Sequence, residues 1–356
     1  MSRAPRQWSL PGPSAFVHTV AKIANDDGVA AVIAPPHCLP LLAAALEAVL
    51  NQPWLPAIQA RSDEPPLGAL SRAFEIDARS ASAVPINPAA EGKAAVVEGL
   101  DATSWARWET TLRAWAAGCR QRPRFGAVLV AIVAPDCENA IKAVGVQSLP
   151  WRGVIGSRDA MLWALDRVPA EIEPLLGRLA VETAVALAGW DLDAIAKLVE
   201  TFTTASRRMF DVPLAMVDSG RTASWSEGTA DLLDGVEFPL LSLCGRDEVV
   251  RRVWRAQTTV LFGWLETERS DFLKRHARAI LESARRMRLP TADLDALEWA
   301  EIARLMKAAY TARDRRAELA EEAREARNAL AHLEPINYAR FARIRSLASD
   351  DRSKGG

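Results

Sequence analysis

FGAVLVAIVAP, residues 125–135, is the stretch on which the fold turns. It is apolar almost without interruption, rich in β-branched side chains, and stopped by Pro135. A strand with one wet face alternates polar and apolar residues. A continuous apolar run is buried on both faces, as in a parallel sheet covered by helices. Working outward, GVAAVIA (28–34) is a second run of this kind, PAIQA (56–60) a third, and KAAVVEGLD (93–101), bounded by Gly92 and Gly99, a fourth. Helical stretches lie between them: LPLLAAALEAVL (39–50), and TSWARWETTLRAWAAGCR (103–120) with Thr103 or Ser104 as its N-cap. WRGVIGS (151–157) then leads into the helical RDAMLWALDRV (158–168). Strands separated by helices predict βαβ units and a mostly parallel sheet.

From about residue 169 the pattern becomes helical. EPLLGRLAVETAVALAG (173–189) and DLDAIAKLVETFTTASRRMF (191–210) carry helical periodicity, the second capped by Asp191. Residues 211–240, with several Gly, Ser and Pro, read as irregular. Three helical blocks follow at 247–288, 293–310 and 317–334, the last ended by Pro335 because the residue before a proline avoids the helical region. The expected layout is α/β followed by all-α. It comprises an α/β domain over 1–168, a helical and irregular lid-like region over 169–245, a helical bundle over 246–348, and a disordered tail, SDDRSKGG, over 349–356.

Composition narrows the function classes. Lys plus Arg number 44 against 45 Asp plus Glu, so no global basic field draws the chain to nucleic acid or anionic lipid, and any RNA contact has to be local. Cys38, Cys119, Cys137 and Cys244 are scattered, with no CxxC pair, which argues against a structural zinc or a disulfide framework and fits a reducing cytoplasm. His37 beside Cys38 falls short of a zinc site, and no metal or cofactor is expected. No run is long enough to span a bilayer, and the first residues, MSRAPRQWSLPGPSAF, lack the apolar core of a signal peptide, so the expected location is cytoplasmic, with no membrane partner. Twelve Trp against two Tyr is unusual. Trp105, Trp108, Trp115, Trp163, Trp190, Trp254 and Trp264 fall in amphipathic helical segments, where they are expected to fill gaps between Ala-rich helices rather than to stack on bases.

The order of strands and helices in the first half resembles a P-loop NTPase core of the kind that carries a helical lid. In that family the first strand is followed by GxxxxGK[ST], whose amides and lysine hold the phosphates. The corresponding turn here, APPHCLPLL (34–42), has no Gly, no Lys, no Ser or Thr, and two adjacent prolines. Proline has no amide to donate, so the loop cannot form the usual anion nest. VVEGLD (96–101) puts Glu98 and Asp101 where that family keeps its magnesium-binding acid, but without a phosphate cradle they read as surface acids at a strand end. Arg152 and Arg158 are weak candidates for anion binding. The resemblance implies a degenerate, ATP-incompetent relative kept as a scaffold or partner surface.

The second resemblance lies in REARNALAHLEPINYARF, residues 324–341. Residues four apart on a helix are neighbours, so Asn328 and His332 share a face, with Arg324 one turn before Asn328 and Arg327 flanking it. His332 lies in the last turn, where the helix dipole favours a protonated imidazole. RNALAH resembles the Arg-x4-6-His motif of the HEPN superfamily, and LEPINYARF is similar to the continuation seen in a bacterial subgroup; the likeness covers roughly the last hundred residues. That resemblance implies an all-helical domain acting as a homodimer, and either a metal-independent endoribonuclease of toxin–antitoxin or antiviral type or a non-catalytic relative. Carried over, Arg327 would bind and neutralise the scissile phosphate of an RNA, Asn328 would orient the phosphate or the imidazole, His332 would serve as general acid or base, and Arg324 would help to hold the substrate. His276, in LKRHARAI, lies on a charged face and is expected to be solvated, and His18 has no motif around it. The expected function is an RNase effector with a regulatory α/β domain and a possible regulatory protein partner. The alternative is a scaffolding or regulatory subunit that binds partner proteins.

Overall fold

The structure, a computed structural model, describes residues 6–35, 42–50, 55–61, 63–121, 126–211, 222–288, 294–310 and 314–354. Its contacts group residues 1–162 with 221–240, and residues 163–220 with 241–356. The expected lid-like stretch 169–245 is thereby divided between the two units.

The first unit alternates as its apolar runs require: α1 (Pro11–Asp27), β1 (Val29–Ile33), α2 (Leu42–Leu50), β2 (Ile58–Gln59), α3 (Pro66–Phe74), β3 (Ala94–Leu100), α4 (Ala102–Cys119), β4 (Val128–Val133), α5 (Glu138–Ala143), β5 (Ser148–Pro150) and the start of α6 (Ser157–Leu165), whose residues from Trp163 belong to the second unit. The strands make one parallel sheet in the order β2-β3-β4-β1-β5, with Val29 opposite Leu129 and Val97 opposite Ala131. Every residue of β1 and β4 is buried, which is the reason neither alternates. On one face Val29, Ala31, Ile33, Leu129 and Val133 pack with Leu70, Phe74, Trp108, Leu112 and Trp115 of α3 and α4. Ala30, Val32 and Val130 are buried on the other face, the side of β1 and β4 that α1 packs against. α4 lies close to the 81–83 turn at Gly118, where a Cβ would fall 2.2 Å from the Ser82 carbonyl oxygen.

Residues 211–240, expected to be irregular, contain a hairpin, β6 (Ala230–Leu233) and β7 (Val236–Pro239). Its two-residue turn, Asp234-Gly235, takes positive φ at both positions, the habit of a tight hairpin. The hairpin holds the end of the sheet unit: Asp231 accepts from the Gly153 amide at 2.8 Å and Asp234 from the Ser157 amide at 3.0 Å. Burial pushes the Asp231 carboxyl above its ordinary range.

The second unit is helical: α7 (Pro174–Ala188), α8 (Leu192–Thr204), α9 (Arg246–Arg286), α10 (Trp299–Ala309), α11 (Arg315–Ala331) and α12 (Tyr338–Lys354). Asp191 caps α8, accepting from the Ala194 amide at 3.0 Å. Arg252 of α9 is buried and donates to Glu248 and to the Leu187 carbonyl, each at 2.8 Å. α12 corrects the expectation for the tail, since residues 349–354 continue the helix. Asp350, Asp351 and Arg352 pair with Arg315, Arg275 and Glu268.

Tryptophans tie elements together as well as filling space. The indole N–H donates to a backbone carbonyl of another segment in Trp108 (Ala60, 3.2 Å), Trp115 (Gly28, 3.2 Å), Trp163 (Leu192, 2.7 Å), Trp254 (Leu330, 2.6 Å) and Trp299 (Leu265, 3.2 Å). A buried indole needs such an acceptor. Among the described residues, no helix is long and apolar enough to cross a membrane.

Candidate functional site

α11 begins at Asp314, whose carboxylate accepts from the Arg316 amide at 2.9 Å. Ala320, Ala323, Ala326 and Leu330 form its buried stripe, spaced by three and four. His332 caps the far end, its amide donating to the Asn328 carbonyl at 3.0 Å and to that of Ala329 at 3.1 Å. The Glu334 amide donates to the Ala329 carbonyl at 2.9 Å across Leu333, which is left-handed at φ 64°. Glycine usually makes this closure, because a Cβ is strained there. Leu333 is exposed, and so is His332.

The four residues singled out by motif separate into two pairs. Asn328 and His332 line one open hollow of about 320 Å³, together with Glu325, Ala329, Glu334 and Arg340. Arg327 and Arg324 do not line it. Arg327 points to the start of α10, its Nη2 3.0 Å from Glu298, while its Nε is buried and finds no acceptor among the described residues. Arg324 is held by Glu321 at 2.6 Å, with Glu325 further off at 3.7 Å. The guanidinium in the hollow is that of Arg340, which bonds Glu322 at 3.2 Å and Glu325 at a shorter distance. One guanidinium therefore lines the hollow with two carboxylates, those of Glu325 and Glu334, and is paired with the first. Spacing could not reveal Arg340, because the turn over 332–337 decides where the first turn of α12 points.

His276, expected in solvent, is instead drawn inside. Its side chain is 12% exposed and its Nε2 lies 2.9 Å from Asp351, which Arg275 also contacts at 3.0 Å. Its ring lies 4.5 Å from that of Phe272, and α9 departs from helical geometry at this residue (φ −113°, ψ 15°). Burial raises the Asp351 carboxyl, but the bonds from His276 and Arg275 outweigh it and hold the group below its ordinary value. An ionised carboxylate only accepts, so Nε2 of His276 carries the proton between them.

At the carboxyl edge of the sheet, Asp101 caps α4. It accepts from the Ser104 amide at 2.9 Å and completes a capping box, so Asp101 is the N-cap and Ser104 its reciprocal partner, in place of the cap expected at Thr103 or Ser104. The bond from the Ser104 amide, joined by Arg61 at 2.8 Å, holds its carboxyl below the usual range. β3 shifts register just before it, at Gly99 with φ 80°. Glu98 accepts from Gln59 at 3.0 Å. A hollow of about 430 Å³ here is lined by Arg61, Asp101, Thr103, Ser104 and Arg107. Arg152 lies 3.8 Å from Glu237 and over the ring of Trp225, and Arg158 is exposed. Of the loop 34–42, residues 36–41, with His37 and Cys38, lie outside the described residues. Among the described residues no three of His, Cys, Asp and Glu cluster as metal ligands.

No family model matches this chain, and no curated protein sequence is significantly similar to it.

Proposed function

We propose that this chain is a ribonuclease effector of the HEPN type, cytoplasmic and of defence or toxin–antitoxin character, acting as a homodimer through its helical unit. The observation that carries the reading is the open hollow shared by Asn328 and an exposed His332. Imidazole is the side chain that exchanges protons near neutral pH, and an amide one turn away can donate to a phosphate oxygen. In the reaction the 2′-oxygen of RNA attacks the adjacent phosphorus and gives its proton to one imidazole. The bond from phosphorus to the 5′-oxygen breaks, and that oxygen takes a proton from the His332 of a second copy. The products are a 2′,3′-cyclic phosphate and a 5′-hydroxyl, and the atoms balance without a metal. Proton transfer of this kind contributes about two to four orders of magnitude in rate. Arg327 and Arg324 enter only by exchanging Glu298 and Glu321 for phosphate.

The test is incubation of purified protein with RNA in EDTA, followed by end analysis. Cyclic-phosphate ends are expected, with at least a hundredfold loss in His332→Ala. Equal cleavage by that variant overturns the reading.

The α/β unit is read as a degenerate P-loop relative that regulates without ATP. Its parallel sheet, with β1 between β4 and β5, supports that reading, as does the absence of glycine and lysine after β1. ATP hydrolysis above background would refute it. One observation favours a second reading, a non-catalytic subunit that binds proteins: Arg324, Arg327 and Arg340 are each already paired with glutamate. The same cleavage assay, negative in the wild type, selects it.

A further inference from the structure

Beneath the candidate site lies an arrangement that the motif does not contain. Gln257 of α9 is fully buried, and its side-chain amide satisfies both backbone groups of a single residue, Ile336. Its Oε1 accepts from the Ile336 amide at 2.8 Å and its Nε2 donates to the Ile336 carbonyl at 3.1 Å. Trp254, three residues earlier on the same face of α9, donates to the Leu330 carbonyl at 2.6 Å. The two contacts bracket residues 330–336, and His332 and the left-handed Leu333 lie between them. A leucine in that conformation is strained, and strained backbone persists where its surroundings over-determine it. A side-chain amide that mimics a paired peptide, sealed from water, is a strong constraint, because losing it leaves two buried backbone groups unsatisfied.

We propose that Gln257, seconded by Trp254, is a positioning residue that fixes the segment carrying His332 and so sets where its imidazole stands in the hollow. This deepens the ribonuclease reading and rests on it only for the consequence in catalysis. Gln257 touches no substrate. It acts through the backbone of Ile336 and the turn at Leu333, which flank Glu334 of the hollow. The Trp254 contact adds a second tether on the helix side, so removing either is expected to loosen the same short segment.

The experiment compares wild type with Gln257→Met, which keeps length and apolar bulk but removes both polar groups, and with Trp254→Phe, which removes one donor and spares the clamp should Gln257→Met fail to fold. Backbone hydrogen exchange is read across the chain, and cleavage kinetics are read on RNA in EDTA. The expected result is exchange at least tenfold faster within 331–337, with the first half of α11 and the middle of α9 unchanged. In cleavage, kcat falls at least tenfold while KM stays within twofold. Leu333→Gly added to Gln257→Met is expected to recover part of kcat, since glycine takes the left-handed turn without a clamp. Exchange unchanged in 331–337, or quickened evenly over the whole helical unit, overturns the proposal. A wild type that does not cleave RNA refutes the ribonuclease reading alone, and the exchange result still decides whether Gln257 holds the segment.

Discussion

His276 sits inside a helix of 41 residues, among Lys274, Arg275 and Arg278, and His332 follows the last residue of a helix of 17, between Ala331 and Leu333. In the fold they differ in what their polar atoms are engaged by. His276 is committed: Asp351 accepts from its ring, Phe272 packs on it, and the helix bends there. His332 caps a helix with its backbone and leaves the imidazole exposed beside Asn328. The difference teaches which histidine is available for chemistry. A ring whose hydrogen bonds are consumed by a buried carboxylate serves stability, and one whose ring is open to water can meet a substrate.

Removing the committed side of the comparison is expected to have the largest effect. Asp351→Ala, or truncation after Ala348, strips a nearly buried carboxylate from Arg275 and His276, and truncation also takes Arg352 from Glu268. Loss of one partner of a buried pair costs about 3 kcal/mol or more, because the remaining charge stays desolvated. Chemical denaturation followed through the helical unit should show that drop. A change below about 1 kcal/mol would mean that residues 349–354 are dispensable.

The same carboxylate gives a pH dependence with a definite sign. Because Asp351 is held below its ordinary value in the folded state, the stability it contributes is fully present above the unfolded value, near 3.9, and is lost as pH falls through the lower folded value. The denaturation midpoint of wild type should therefore decline more steeply below pH 4 than that of Asp351→Asn. Parallel acid limbs for the two proteins would show that the His276 region carries no such linkage.

On the open side, the strain at Leu333 should be removable. Leu333→Gly relieves a left-handed leucine whose side chain is exposed, and is expected to stabilise the protein by about 0.5–1 kcal/mol. Thermal unfolding reads it directly. A loss of stability instead would mean that the leucine side chain supplies packing not visible in its exposure.

How much of this could be read beforehand depends on the range over which each feature is determined. β1 and β4 were legible because continuous apolar runs are a local consequence of burial on both faces, whereas the helix expected to run on to Pro335 ends at Ala331, closed early by the His332 cap and the left-handed Leu333. The hairpin was legible in principle, since Asp234-Gly235 between apolar residues is a turn signal; composition alone hid it. α1, opening on Pro-Gly-Pro, was not read as a helix, although proline suits a first turn. The tail and His276 could not be read at all. SDDRSKGG has the composition of a disordered end, yet residues 349–354 continue α12, where Asp350, Asp351 and Arg352 meet Arg275, His276, Glu268 and Arg315, which lie 35 or more residues away along the chain. Arg340 and Gln257 were hidden for the same reason: the first depends on the turn that aims α12, the second on a backbone contact 79 residues distant.

The smallest expected effect is the one that separates the two histidines most sharply. His332→Ala removes an exposed imidazole for which no bond to another side chain is seen among the described residues, while the cap made by its backbone remains. Surface substitutions of this kind usually fall within about 0.5 kcal/mol of wild type. His276→Ala, by contrast, uncovers Asp351 and leaves a gap against Phe272, and belongs with the large losses above. Measured side by side by denaturation, the two variants should differ by about 2 kcal/mol or more, with His332→Ala indistinguishable from wild type. A His332→Ala protein destabilised as much as His276→Ala would show that the imidazole at the end of α11 is spent on holding the bundle together, and the hollow would lose its claim to be a site.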